Sequence, residues 1–211
     1  MRPTTPLGRI ASSLGYPDTS QVSPSRRRGL RAFWLDGLFS SLSGGFADPY
    51  YTLYLLSLGA NNAQIGLVNT MNQLAGAVLA FPGAAIADRT GRYKAMVLLA
   101  GVLSRLMWIV MLLAPWVFGG AGAVWLIMAA WVALSAVGAL ANGAWTALSA
   151  DLVPARLRGG YFASRNIIMQ LVRLMAIPLA GQIVYAVGEP GGYQVALGIA
   201  FVIGMIAVYY Y

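Results

Sequence analysis

The sequence predicts an all-α membrane protein with six transmembrane helices, and three observations carry that reading. Of 211 residues, 59% are hydrophobic and only 9% charged, whereas about 25% of a soluble domain is charged. The apolar residues fall into six runs, at 33–57, 63–87, 95–118, 122–150, 160–187 and 193–211. Each is close to or above the roughly 20 residues that a helix needs to cross a bilayer. The basic residues also alternate between connections. Arg26, Arg27, Arg28 and Arg31 precede the first run, Arg89, Arg92 and Lys94 separate the second from the third, and Arg156 and Arg158 separate the fourth from the fifth. The other connections carry no Lys or Arg. This is the positive-inside pattern of a chain with a cytoplasmic N-terminus.

Composition removes several classes of function. The chain has no cysteine and no histidine, so neither a disulfide scaffold nor a metal centre is expected, and nothing points to a cofactor. An intramembrane enzyme would need Ser with His, paired carboxylates or a metal cluster. No Gly-x-Ser-x-Gly occurs and no two acidic residues share a span midplane, so no enzymatic activity is expected. The net charge of +8 is spent on orientation in the membrane, and binding to nucleic acid is not expected.

Taken in order, residues 1–32 are rich in Arg, Ser, Pro and Thr and read as a disordered basic cytoplasmic tail. A signal peptide is the competing reading, but the first run is long and lacks a small-x-small cleavage site. That run carries Ser41, Gly44, Asp48 and Thr52. The second starts on Asn61 with Gln64 three residues later, a capping-box spacing, then shows Asn69, Asn72, Gln73 and Gly76; Pro82-Gly83 should bend its far end. The third contains only Ser104-Arg105 and is expected to stop at Pro115. The fourth carries Ser135, Gly138, Asn142, Thr146 and Ser149. The fifth carries Asn166, Gln170 and Arg173 and ends at the Gly188–Gly192 segment; the sixth is almost bare. Trp34, Trp116, Trp125, Tyr161, Tyr193 and Tyr209 gather near run ends, as interfacial aromatics do.

Polar residues three and four apart share a helix face. Single stripes of this kind also serve simply to bind helices together in lipid. Four stripes, on the first, second, fourth and fifth runs, predict a wet chamber among those helices, with the third and sixth outside.

Two connections carry signatures. Ala84-Ala85-Ile86-Ala87-Asp88-Arg89-Thr90-Gly91-Arg92-Tyr93-Lys94 reads as a tight charged loop of about seven residues, turned by a left-handed Gly91 between antiparallel neighbours. It resembles the element between helices 2 and 3 of the major facilitator superfamily, with Ala84 at the usual first glycine and Tyr93 at a usual basic position. Asp151-Leu-Val-Pro154-Ala-Arg-Leu-Arg158-Gly159 resembles the superfamily's element between helices 4 and 5. The likeness covers about residues 33–211 and implies the N-terminal six of twelve helices, built as two three-helix inverted repeats. It implies that helices 1, 2, 4 and 5 line a central cavity. It also implies a cytoplasmic gate at Asp88, Arg89, Gly91 and Arg92 with Asp151, Pro154, Arg158 and Gly159. Without that role these charges would form an exposed cluster worth less than about 1 kcal/mol per pair. The helix 5 motif associated with exchangers is not evident; Pro178-Leu-Ala-Gly181 is only a faint echo.

Charges at bilayer depth are the sharpest functional clue. Asp48, Arg105 and Arg173 lie well inside their runs, and each would cost roughly 2.5–3.5 kcal/mol against lipid. They must face the interior, pair or meet water. One reading is a buried ion pair that fixes helix packing. The other is a solute or coupling-ion site, where Asp48 takes and releases a proton and an arginine holds an anionic group or tunes that proton. Asn69, Asn72, Gln73, Asn142, Asn166 and Gln170 complete the candidate set for substrate or proton coupling. Asp36 and Arg165 read as interfacial or snorkelling residues.

The expected function is secondary active transport of a small solute by alternating access, with protons as candidate coupling ion, in the cell (inner) membrane. The chain is expected to be a six-helix fragment whose partner is a missing C-terminal six-helix half. The alternative is a six-helix oligomeric channel or solute-binding membrane subunit.

Overall fold

In the computed structural model, residues 24–210 are described. They form seven helices, with no strand among the described residues: α1 (Pro24–Ala47), α2 (Tyr50–Ser57), α3 (Asn62–Thr90), α4 (Tyr93–Val117), α5 (Ala121–Leu152), α6 (Ala155–Val187) and α7 (Gly191–Tyr210). Helices α3 to α7 are long and apolar enough to cross a membrane by length and composition. Helices α1 and α2 together occupy the place of the first apolar run.

That run is not one helix. Pro49 has no backbone N–H and so cannot donate to the carbonyl four residues back. The ladder therefore loses one bond at Pro49, although Asp48 still donates to the Gly44 carbonyl at 2.8 Å and Pro49 itself keeps helical angles (φ −69°, ψ −20°). At the other end α1 begins at Pro24, inside the stretch expected to be a disordered tail. Leu30 and Phe33 explain the extension: both are buried against Val153 and Tyr161, and the Tyr161 hydroxyl donates to the Leu30 carbonyl at 2.9 Å. The rest of the expected tail, residues 1–23, lies outside the described residues.

Several helix ends follow from local chemistry. The Asn61 side chain accepts from the Gln64 N–H, and the Gln64 side chain accepts from the Asn61 N–H, both at 2.9 Å, a complete capping box. Gly91 (φ 61°) closes α3 in the left-handed region. Asp88 and Arg89 belong to the last turn of α3, so the charged connection is only Gly91-Arg92 rather than a seven-residue loop. Gly188 (φ 84°) caps α6 and donates to the Val184 carbonyl at 2.9 Å. Pro82, Pro115 and Pro178 all lie inside helices, and α4 runs two residues past Pro115 before it stops.

Each proline frees a carbonyl four residues earlier, which in lipid must find another donor. Pro115 frees Met111, and the fully buried Tyr54 donates its hydroxyl to that carbonyl at 3.4 Å. Pro154 frees Ala150, and Arg158 Nη2 donates to it at 2.8 Å.

Helix α1 packs against α6 and α7, α5 packs against α3 and α4, and α4 meets α7. Small residues let backbones touch. A Cβ on Gly83 of α3 would lie 2.6 Å from the Leu140 Cα of α5, and one on Gly143 would lie 2.7 Å from the Ala84 Cα. The largest core cluster joins Tyr51, Tyr54, Trp108, Met111, Ile127 and Leu197.

Candidate functional site

A cavity of about 420 Å³ opens among the helices. Its lining repeats every four residues along each helix. Asp36, Ser40, Gly44 and Asp48 come from α1; Val97, Gly101 and Arg105 from α4; Gly138 and Asn142 from α5; Arg165, Met169 and Arg173 from α6. Four-residue spacing keeps side chains on one helix face. From Asp36 to Asp48 the cavity follows α1 for roughly 18 Å at 1.5 Å per residue.

Three cationic groups and two carboxylates line this space. Arg173 Nη2 lies 2.9 Å from Asp48 Oδ2, and the two side chains remain 42% and 45% exposed. Glycine makes the pair possible. A Cβ on Gly45 would stand 3.0 Å from the Arg173 carbonyl oxygen, so the α1 and α6 backbones touch one turn before Asp48. At the other end Arg165 is buried, with its guanidinium carbon 4.7 Å from the Phe33 ring centre and 5.7 Å from that of Trp145. Its charge acts on Asp36, which also accepts a long 3.5 Å hydrogen bond from Ser40. Arg105 lies within electrostatic reach of both Asp36 and Asp48. Its guanidinium carbon sits 4.8 Å over the Trp108 ring.

The structure thus brings together Asp48, Arg105, Arg173 and Asn142 from the predicted set. It does not bring Asn69, Asn72, Gln73, Asn166 or Gln170 to the cavity. Asn72 accepts a 3.0 Å hydrogen bond from Ser135 and so links α3 to α5. Asn69, Gln73, Asn166 and Gln170 are exposed on α3 and α6.

This cavity and the expected chamber differ in the helices that line them. The second crossing (α3) contributes nothing to this cavity, whereas the third (α4), expected outside, supplies Ser104 and Arg105, and α7 adds Val208. Periodicity fixes which residues share a face but not which neighbour that face meets. Asp36 and Arg165 are corrected: both line the cavity instead of snorkelling to an interface. The missed signal was the spacing itself, since positions 36, 40, 44 and 48 are spaced like 165, 169 and 173.

At the α3–α4 and α5–α6 connections, Asp88, Arg89, Gly91, Arg92 and Asp151 are exposed, and neither Asp88 nor Asp151 forms an ion pair among the described residues. Pro154 caps the start of α6. Arg158 serves the Ala150 carbonyl, and Gly159 is an exposed position in the first turns of α6.

The chain matches the family profile of the Major Facilitator Superfamily over residues 33–211. No curated protein and no solved structure matches it.

Proposed function

The chain belongs to the Major Facilitator Superfamily, a family of membrane transporters, and from that premise we propose that it forms one six-helix wall of a secondary carrier. It is a multi-pass membrane protein, with five helices long and apolar enough to span. The remaining crossing, the first in the chain, is in this reading the pair α1–α2. In this reading the membrane is the inner cell membrane and the N-terminus is cytoplasmic, the latter supported by the alternation of basic connections.

Two features of packing support a carrier built from repeats. Exchanging the helix triplets (first crossing with fourth, second with fifth, third with sixth) leaves the pairing pattern unchanged: α1 pairs with α6 and α7 as α5 pairs with α3 and α4. An inverted three-helix repeat has this property. Exposed amides on α3 and α6 would be costly against lipid, which favours a second six-helix unit facing them. The unpaired Asp88 and Asp151 are then available to dock on that unit as a gate. Were the second unit another copy of this chain, the assembly would be the oligomeric alternative.

The observation that carries the proposal is the Asp48–Arg173 pair, half-open to the cavity beside the Pro49 break. An ion pair beside a proline that removes one bond of the helical ladder, at bilayer depth, is where two helix segments can part and re-form as access alternates. In this reading a small solute enters the cavity and Asp48 exchanges a proton as its pairing with Arg173 changes. Proteoliposome uptake by the intact transporter tests this. Asp48→Asn should abolish accumulation driven by a pH gradient while solute equilibration down its own gradient remains. Undiminished pH-driven accumulation in that variant would remove the coupling role.

A further inference from the structure

We propose that the solute held in this cavity is a small organic anion with a single carboxylate, and that Arg105 is its anchor. The inference rests on the carrier reading above and deepens it. Among the charges lining the cavity, Asp48 already occupies Arg173 at 2.9 Å, and Asp36 lies in the field of Arg165. The guanidinium of Arg105 is the excess. It has no hydrogen-bond acceptor and no ion-pair partner within reach among the described residues, and its buried Nε is unsatisfied. The Tyr51 phenol and two carboxylates, Asp36 and Asp48, act on it from a distance without contact.

The group is also held in place. One face lies over the Trp108 ring at 4.8 Å. On α7 the absence of a side chain at Gly204 makes room for it: a Cβ there would stand 2.6 Å from the guanidinium carbon. A guanidinium fixed in position beside a cavity of about 420 Å³, with Nε buried, offers charge-assisted hydrogen bonds to a carboxylate from its terminal nitrogens. That volume lies within the usual range of small-molecule sites. One negative charge balances the cavity. A cation would deepen its positive excess, a neutral solute would leave the guanidinium unmatched, and a dianion would overshoot. Ser40, Ser104 and Asn142 on the same lining offer hydroxyl and amide contacts for the remainder of the molecule.

The test uses the intact transporter purified in lipid nanodiscs, with its unfolding midpoint followed by tryptophan fluorescence. The probes are acetate, lactate, benzoate and nicotinate, the amides of the same four acids, and the amines ethylamine and benzylamine. At least one carboxylate should raise the midpoint saturably while its amide and the amines do not. Arg105→Gln should weaken that response about 10- to 100-fold, the loss expected for charge-assisted hydrogen bonds. Arg105→Lys should retain part of it. Without ligand, the midpoint of Arg105→Gln should equal or exceed that of the parent, because an uncompensated charge has been removed. Amides or amines that stabilise as well as carboxylates would overturn the inference and leave the carrier reading standing, as would an undiminished carboxylate response in Arg105→Gln. No response to any charge class would overturn the inference, while pH-driven uptake by the same preparation in proteoliposomes would keep the carrier reading.

Discussion

Arg158 and Pro154 show how a residue pattern encodes a contact. Proline at 154 leaves the Ala150 carbonyl without its helical donor, and the arginine four residues further on supplies one at 2.8 Å. Arg158 is exposed, so the bond should contribute only about 1 kcal/mol. Arg158→Leu should lower stability by about that amount in chemical unfolding. In a Pro154→Ala background, where the backbone N–H returns, the same change should cost close to nothing. Equal costs in both backgrounds would show that the arginine acts elsewhere. Tyr54 plays the corresponding role for the carbonyl freed by Pro115. The sequence displayed both prolines but not their donors, because Tyr54 is remote from Met111 in the chain and meets it only after packing.

Helix ends were the most legible features. Asn61 with Gln64, Gly91 and Gly188 each act within a few residues of themselves, and each caps a helix where local chemistry predicts. The division of the first run at Pro49 was hidden, since apolar residues continue on both sides and Pro49 keeps helical angles. The start of α1 at Pro24 was hidden too, because it depends on Leu30 and Phe33 finding Val153 and Tyr161 far along the chain. Close crossings are set by single glycines. A side chain at Gly83 would collide with the Leu140 backbone, so Gly83→Leu should destabilise the α3–α5 pair by about 1–3 kcal/mol. Loss of folded protein in size-exclusion profiles at reduced temperature would register it, and a parent-like melting curve would contradict the crossing. Gly45→Val should force α1 away from α6 and part Asp48 from Arg173, removing pH-driven accumulation in an inserted protein.

At the scale of the molecule, fold class and family were readable because composition, run length and alternating charge are one-dimensional properties. The set of helices that line this cavity was not. Four polar stripes pointed to a chamber that includes the second crossing, yet the cavity turns from α3 to α4, where Arg105 outweighs a whole stripe of amides. Asp36 and Arg165 were judged by their nearness to run ends, while Phe33 and Trp145 bury Arg165 within the bundle. The central claim is a water-accessible cavity along α1, α4, α5 and α6, and the chain's lack of cysteine makes it directly measurable. Single substitutions Ser40→Cys, Ser104→Cys and Asn142→Cys place a thiol on the cavity lining. Leu99→Cys and Val202→Cys place one on exposed apolar faces of α4 and α7. A water-soluble maleimide applied to the membrane-embedded protein should label the first three rapidly and spare the last two, since thiolates form in water and not in hydrocarbon. Uniform protection of all five, or labelling of Leu99→Cys and Val202→Cys in preference to the others, would contradict the cavity.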